Sequence, residues 1–181
     1  RITETAKGLW LTYMLLTVAC GFSLWGAGMD GWDALIHAFS ITGLGGFSSK
    51  DASLGHFANL NVELVAMLFA LLAGLNYATH YLALVRGSLR PYSRDPEIPF
   101  YFGALAFSIA MLTIYLLYWQ SHDDPLHTLR SVAFHVVSIS TSLGLVIEDY
   151  SAWPMFAQVW MLFLGSFIAC SGSTGGGIKM M

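Results

Sequence analysis

The chain has 181 residues, of which 56% are hydrophobic and only 10% are charged, and its mean hydropathy is +0.62. Soluble domains of this size carry about 25% charged residues, so this composition excludes an ordinary soluble domain. It indicates an integral membrane protein, and we expect lipid around the chain and no nucleic-acid partner.

Four apolar segments are long enough to cross about 30 Å of hydrocarbon as helices. They cover residues 9–27, 62–85 and 98–119, and a stretch that begins at Pro154 and is interrupted by "SGSTGGGIK". These runs are continuously apolar and lack the alternation of barrel strands, which excludes a membrane β-barrel. Because the sequence lacks an initiating Met and stops abruptly at "GGGIKMM", we interpret it as an internal part of a longer protein.

Two shorter, partly apolar segments lie between these spans, at 31–42 and 126–138. Each predicts about three helical turns, roughly 18 Å, which is too short to cross a bilayer. Each is followed by a small polar stretch that contains glycine, "GLGGFSS" or "ISTSLGL". We therefore expect half-helices that enter the membrane and turn back.

The two halves of the chain repeat one pattern at a fixed offset of 98. Aligning 36–51 with 134–149 matches His37 with His135, Ser40 with Ser138, Ile41 with Ile139, Gly46 with Gly144, and Asp51 with Asp149; Gly74 meets Gly172 at the same offset. This indicates an internal duplication. We expect one pore-forming unit at 1–87, a cytoplasmic linker at 88–97, and a second unit at 98–181 that is truncated in its broken last helix.

Basic residues predict the orientation of the chain. One face would carry six of the eight, namely Arg1, Lys7, Arg86, Arg90, Arg94 and Lys179, and the other only Lys50 and Arg130. The first face is therefore expected to be cytoplasmic. Both half-helices then enter from the acidic outer side.

Non-helical backbone at membrane depth is tolerated only where it is buried in protein or lines water. A half-helix entering from outside directs its C-terminal carbonyls, which favour a cation, toward the membrane centre. Carbonyls of the returning loop can replace the hydration shell of a K⁺-sized ion. That backbone needs unusual dihedrals, and we expect Gly46 and Gly144 to supply them. The alternative is a surface turn next to interfacial helices.

The second glycine cluster, 171–179, interrupts the last apolar segment. Three consecutive glycines weaken a helix by about 1 kcal/mol each relative to Ala, so the segment is expected to unwind. A phosphate-binding loop is excluded because Ile178 separates the last Gly from Lys179 and no strand precedes it. A small-residue helix-packing motif remains an alternative.

Other polar residues receive structural interpretations. His37 and His135 are expected to pack or to form hydrogen bonds, and no metalloenzyme motif is present. Cys20 and Cys170 are expected to be small buried hydrophobes. The polar group 76–80 either lines a cavity or makes structural hydrogen bonds.

The stretches "HAFSITGLGGFSSKDASLGHF", "SISTSLGL", "WPMF" and "GSTGGGIK" resemble the TrkH branch of the Trk/Ktr superfamily of bacterial K⁺ transporters, and the resemblance covers essentially the whole chain. It implies an all-α integral membrane fold of repeated helix, re-entrant pore helix with loop, and helix units, as in K⁺ channel-like transporters. Four units would surround one pore, and this chain resembles the second and third. Phe47 fits the family pattern after the conserved Gly, whereas Leu145 departs from it.

The resemblance also implies the site residues. Ion-coordinating backbone would lie in two filter segments, Thr42, Gly43, Leu44, Gly45 and Gly46 in one unit and Ser140, Thr141, Ser142, Leu143 and Gly144 in the other. A gating loop beneath them would comprise Gly172, Ser173, Thr174, Gly175, Gly176, Gly177 and Lys179.

The implied function is K⁺ uptake across the bacterial inner membrane by a multi-pass protein. It is not an enzyme and has no cofactor, and K⁺ is both the transported ion and the only metal, bound at the filter. Implied partners are the remaining pore units, a second copy in a homodimer, and a cytosolic nucleotide-binding gating subunit. The alternative is a non-conducting membrane scaffold fragment that needs the missing units.

Overall fold

The computed structural model describes residues 2–119, 124–167 and 170–176. Over those ranges the chain is all-α, as predicted. Its helices are α1 (Ile2–Gly26), α2 (Gly31–Thr42), α3 (Leu60–Ala73), α4 (Tyr77–Arg86), α5 (Arg90–Arg94), α6 (Glu97–Trp119), α7 (Pro125–Ser140) and α8 (Met155–Phe167). Single 3-10 turns cover Ser53–Phe57 and Tyr150–Ala152. Of the residues given roles above, Arg1, Gly177 and Lys179 lie outside the described ranges, as does Ile178.

Over the described residues the helices repeat one order: a long helix, a short helix, and a further helix, which in the first unit bends into a second segment. α1, α2 and the α3–α4 pair form the first unit, and α6, α7 and α8 form the second. The short helix α5 lies within the predicted linker 88–97. The unit boundaries themselves remain a prediction.

Two long helices carry the apolar character of a membrane span. Ala6–Gly26 within α1 has 21 residues and α6 has 23, and only 28% of the most apolar window of each is buried within the chain. Large apolar side chains such as Trp10, Phe22 and Ile114 are more than 60% exposed. Such exposed apolar surfaces are typical of helices that face lipid or neighbouring membrane helices.

The second predicted span, 62–85, was expected as one continuous helix, and this is wrong. α3 and α4 meet at a bend of 93°. Gly74 caps the C-terminus of α3, and the side chain of Asn76 accepts a hydrogen bond from the Ala78 N–H at the start of α4. A glycine followed by an N-capping asparagine ends one helix and begins the next.

The two short helices have the predicted positions. α2 occupies the predicted segment 31–42, and α7 extends the predicted 126–138 by a residue at the start and two at the end. Asp30 and Asp124 provide N-caps, accepting from the backbone N–H of Trp32 and Leu126. At 1.5 Å per residue neither crosses a 30 Å hydrocarbon layer.

The two units share one hydrophobic core. Leu54 and Ala66 of the first unit are fully buried in the same cluster as Phe134, Leu143 and Leu145 of the second. A second cluster lies mostly within the second unit, around Tyr101, Leu112 and Met161. The C-terminal ends of α2 and α7 are therefore held by packing that neither unit completes alone.

Candidate functional site

The short helices α2 and α7 end in the same hydrogen-bond pattern. In each, three successive N–H groups donate to carbonyls four, three and five residues earlier, which is a Schellman motif. In the first unit the bonds are Gly43 to Phe39 (3.0 Å), Leu44 to Ile41 (3.2 Å) and Gly45 to Ser40 (2.8 Å). In the second they are Thr141 to Val137 (3.1 Å), Ser142 to Ile139 (3.0 Å) and Leu143 to Ser138 (2.8 Å). Every pair is related by the offset of 98.

The dihedral angles of the two filter segments also repeat. Gly46 and Gly144, predicted from the sequence, have φ of 72° and 77°. Leu44 and Ser142 also adopt left-handed backbone, at 51° and 66°. Sequence reasoning missed these two because a left-handed helix terminus is usually marked by Gly. The available signal was their alignment at the same offset as the glycines.

The two filter segments lie side by side. A Cβ placed on Gly46 would collide with the carbonyl oxygen of Leu143 and approach the Cα of Gly144. Beyond the segments, the Gly55 N–H donates to the Val146 carbonyl and the Val146 N–H donates to the Ser53 hydroxyl, each at 3.1 Å. Hydrogen bonds between units therefore hold the returning loops together.

The backbone carbonyl of Thr42, the last residue of α2, accepts two hydroxyl donors. Tyr77 Oη lies 3.2 Å from it and Thr174 Oγ1 lies 3.0 Å from it. The first donor comes from the start of α4 and the second from the glycine-rich segment (170–176). One end of a filter segment is thus bonded to the start of α4 and to the glycine-rich segment.

The glycine-rich segment docks into the break between α3 and α4. The Tyr77 N–H donates to the Gly172 carbonyl at 3.1 Å, and the Cys170 N–H donates to the Gly74 carbonyl at 3.4 Å. Gly172 has φ of 76°, and a Cβ there would collide with the Asn76 side-chain oxygen. The two glycines that the offset aligned, Gly74 and Gly172, are therefore parts of one contact.

The same segment also reaches the second filter segment. The Ser142 hydroxyl donates to the Gly176 carbonyl at 3.3 Å, while the Ser173 hydroxyl donates to the Cys170 carbonyl at 2.8 Å. The structure thus brings Gly172 to Gly176 against both filter segments. Residues 171–176 are not helical, as predicted for this part of the cluster, and the Ser173 and Thr174 hydroxyls donate to backbone carbonyls.

The aligned histidines brace the short helices, as predicted. His37 Nδ1 donates to the Asp33 carbonyl at 2.7 Å, so its Nε2 accepts from the Ser48 hydroxyl at 2.9 Å. His135 Nδ1 donates to the Ser131 carbonyl at 2.8 Å. Both rings are fully buried. Among the residues that the structure describes, no group of three or more His, Cys, Asp or Glu side chains could hold a metal ion.

Sequence reasoning also missed an ion pair between the units. Arg130 on α7 donates from Nε and Nη2 to the two carboxylate oxygens of Glu63 on α3, at 2.7 and 2.6 Å. The two residues are 67 positions apart. The charge pattern of the sequence predicted only the side of the membrane on which such residues lie, not that these two pair. Glu63 is 2% exposed and the Arg130 side chain is 36% exposed, so a bidentate, charge-assisted pair with one buried partner ties α3 to α7.

Charged groups near the start of α2 are held by the returning loop. The Ser49 hydroxyl donates to Asp33 Oδ1 at 2.6 Å, and Lys50 Nζ lies 3.3 Å from Asp33 Oδ2. The Ser49 hydrogen bond first, and the Lys50 ammonium with it, hold the pKa of the Asp33 carboxyl below its usual value. This carboxylate therefore stays ionised, and its ion pair with Lys50 ties the start of α2 to the returning loop.

Comparison with known proteins places this geometry in a family. A family model described as "TrkH: Cation transport protein" matches residues 1–181. The "Trk system potassium uptake protein TrkH" of Salmonella typhimurium (strain LT2) is 41% identical over 181 residues, covering 100% of this chain and 38% of the relative. The "Trk system potassium uptake protein TrkG" of Escherichia coli (strain K12) is 36% identical, covering 100% of this chain and 37% of the relative.

A solved structure agrees with the sequence relatives. The crystal structure of the potassium transporter TrkH from Vibrio parahaemolyticus superposes with a TM-score of 0.94 at 37% identity, covering 99% of this chain and 39% of that one. The chain thus spans less than two fifths of the length of these relatives. The match to the family model over all 181 residues, with the paired re-entrant helices, shows that the chain belongs to the TrkH family of cation transport proteins.

Proposed function

We propose that this chain forms two pore units of a transporter that takes up K⁺ across the bacterial inner membrane. The observation that carries the proposal is the pair of matching filter segments, with equal hydrogen bonds and left-handed glycines at the same offset. The relatives named as potassium uptake proteins support the ion and the direction of transport. K⁺ is substrate here, and the proposal requires no cofactor.

The proposed permeation path runs between the filter segments. α2 and α7 aim their C-terminal carbonyls at the membrane centre, where their partial negative charge favours a cation. Carbonyls of Thr42 to Gly46 and of Ser140 to Gly144 then replace part of the ion's hydration shell. The excess of acidic groups expected at the outer surface raises the local cation concentration before entry.

The glycine-rich segment is proposed as the gate. Its contacts with Thr42 and with Ser142 put it against one side of both filter segments, where it obstructs an ion leaving toward the cytoplasm. It has few hydrophobic anchors and three glycines in a row, so a second arrangement costs little backbone strain. The predicted contributions of Gly177 and Lys179 stay proposals.

Two units supply two of the four walls that the proposed pore needs. We propose that the remaining units of the longer protein complete the ring, that two copies form a homodimer, and that a cytosolic nucleotide-binding subunit controls the gate. Lipid covers the apolar outer faces of α1 and α6.

Ion flux tests the proposal. The full-length transporter that contains this segment, reconstituted in liposomes, is expected to admit Rb⁺ or K⁺ down its gradient, and empty liposomes are not. The isolated 181-residue segment is expected to give no flux, because half of the coordinating ring is absent. Failure of the full-length protein to carry either ion, with its fold verified, would contradict the proposal.

A further inference from the structure

The carbonyl oxygen of Thr42 is the most heavily bonded acceptor in the filter segments. It accepts from Thr174 Oγ1 at 3.0 Å and from Tyr77 Oη at 3.2 Å. A carbonyl oxygen has two lone pairs, so these two hydroxyls use its full capacity. Thr42 is 1% exposed, and bulk water does not compete for this acceptor.

In the proposed orientation, Thr42 is the innermost residue of its filter segment. α2 enters from the outer side and ends there, and the chain turns back after it. Its carbonyl is then the last one that an inward-moving ion meets. A hydroxyl that donates to this oxygen places its partly positive hydrogen where a coordinated cation would lie. Cation coordination and the Thr174 hydrogen bond therefore oppose each other.

The two donors belong to different elements. Tyr77 lies at the N-terminus of α4 and remains with the first unit. Thr174 is carried by the glycine-rich segment, which is held in the α3–α4 break by the bond from the Tyr77 N–H to the Gly172 carbonyl. Withdrawal of that segment removes the Thr174 donor and leaves Tyr77 in place. One lone pair of the carbonyl then becomes available to an ion.

We infer that Thr174 is a positioning residue that couples the gate to the filter: its hydroxyl occupies the innermost carbonyl while the gate is seated, and K⁺ at that carbonyl disfavours seating. This inference rests on the proposed function. Coupling of two sites is reciprocal, so gate opening raises the apparent K⁺ affinity, and K⁺ promotes opening. The apparent affinity is the intrinsic one scaled by the fraction of molecules with the carbonyl free.

Two substitutions of Thr174 separate the hydroxyl from the methyl group. Thr174→Val keeps the shape and removes the donor, while Thr174→Ser keeps the donor and removes the methyl. Thr113→Val is the matched control, because the buried Thr113 hydroxyl on α6 has no hydrogen-bond partner among the residues that the structure describes. The measurement is the K⁺ concentration that gives half-maximal flux through the full-length transporter in liposomes, without any gating subunit.

Thr174→Val is expected to lower the half-saturating K⁺ concentration about 2- to 10-fold, the range for loss of one neutral hydrogen bond. Thr174→Ser and Thr113→Val are expected to match the wild type. Tyr77→Phe, which removes the other donor from the same carbonyl, is expected to shift the value in the same direction and serves if Thr174→Val does not fold.

If Thr174→Val folds and its half-saturating K⁺ concentration is unchanged, the inference is overturned. If Thr174→Val does not fold, an unchanged value in Tyr77→Phe overturns it. In both cases, K⁺ flux through the wild type still supports the proposed function. An equal shift in Thr174→Ser and Thr174→Val also overturns it, because packing of the side chain would then explain the effect. Absence of flux in the wild type would instead remove the proposed function itself.

Discussion

Gly46 is confined by two separate features of its surroundings. Its φ of 72° lies in the left-handed region, which costs an L-residue with a side chain about 1–2 kcal/mol. In addition, an added Cβ would collide with the Leu143 carbonyl. That atom is backbone of the neighbouring filter segment, so relief requires the two segments to separate. Any larger residue at position 46 therefore disturbs both units.

Gly46→Ala is expected to reduce K⁺ flux through the full-length transporter about tenfold or more, because strain and displaced carbonyls act together. Gly103→Ala is the control, since a Cβ on that α6 glycine meets nothing within 4 Å. It should leave flux unchanged and favour the helix by about 1 kcal/mol. Wild-type flux in Gly46→Ala would contradict the role given to this position.

At the residue scale the sequence predicted the two left-handed glycines and the structural role of the two aligned histidines. Gly adopts left-handed backbone without a steric penalty, so the residue type alone suggested unusual dihedral angles at Gly46 and Gly144. An alignment of the two halves was sufficient to find both positions. Leu44 and Ser142 accept left-handed backbone because the Schellman bonds around them hold it, and residue type gives no sign of that. The Glu63–Arg130 pair depends on how α3 packs against α7, which a single sequence does not encode locally.

At the scale of elements, the break between α3 and α4 positions the glycine-rich segment, the proposed gate. Asn76 caps α4 by accepting from the Ala78 N–H at 2.9 Å, and its side-chain amide faces Gly172 closely enough to exclude a Cβ there. The break is further supported by His80, whose Nε2 donates to the Leu72 carbonyl at 2.8 Å. A carbonyl freed at the end of α3 is thereby satisfied within the membrane.

Asn76→Ala is expected to destabilise the full-length protein by about 1 kcal/mol, the usual cost of losing a helix N-cap. It should also weaken docking of the glycine-rich segment and raise flux in the absence of a gating subunit. The melting temperature in detergent and flux in liposomes measure these two effects. Asn61→Ala, at an exposed position on α3, should change neither. If the two variants behave alike, the break does not position the gate.

Element prediction succeeded where local signals were complete. α2 has the predicted bounds because Asp30 caps its start and "GLGG" ends it. The second span was predicted as continuous because residues 62–85 are apolar almost throughout, and membrane helices tolerate single glycines and asparagines. Gly74 and Asn76 permit the break locally, and contact with Gly172 and Cys170, about 100 residues away in the sequence, holds it open. The composition of 62–85 alone was therefore insufficient to predict it.

At the scale of the whole molecule, corresponding residues of the two units differ in exposure. Leu145 is 1% exposed and packs in the core shared by both units, whereas Phe47, its counterpart at the same offset, is 74% exposed. The packing that covers Leu145 is provided by the preceding unit. If the units repeat around a pore, we expect another unit of the longer protein to pack against Phe47 in the way that the first unit packs against Leu145.

Phe47→Ala in the full-length protein is therefore expected to cost about 3 kcal/mol, as for a buried Phe. Phe100→Ala, at a residue that is 73% exposed here, is the matched control and should change stability by less than about 0.5 kcal/mol if lipid covers it. Unfolding of the purified full-length protein measures both. Equal effects would argue against a neighbouring unit at Phe47.

The internal repeat allowed the order of helices and the pairing of the filter segments to be predicted for the whole molecule. It did not predict that the α3–α4 break and the glycine-rich segment meet at Gly74 and Gly172. The repeat aligns those glycines in sequence, but aligned positions in a ring of units are usually apart in space. Their contact depends on the shared core and on the bend of 93°, which are properties of the assembled chain.

Anomalous scattering from Rb⁺ in crystals of the full-length transporter tests the central claim most directly. Density is expected between the filter segments, within coordination distance of carbonyl oxygens from 42–46 and 140–144. Substitution of Rb⁺ by a cation that the protein does not transport should remove it. Rb⁺ density elsewhere in the membrane region, with these carbonyls facing lipid or other protein, would contradict the account.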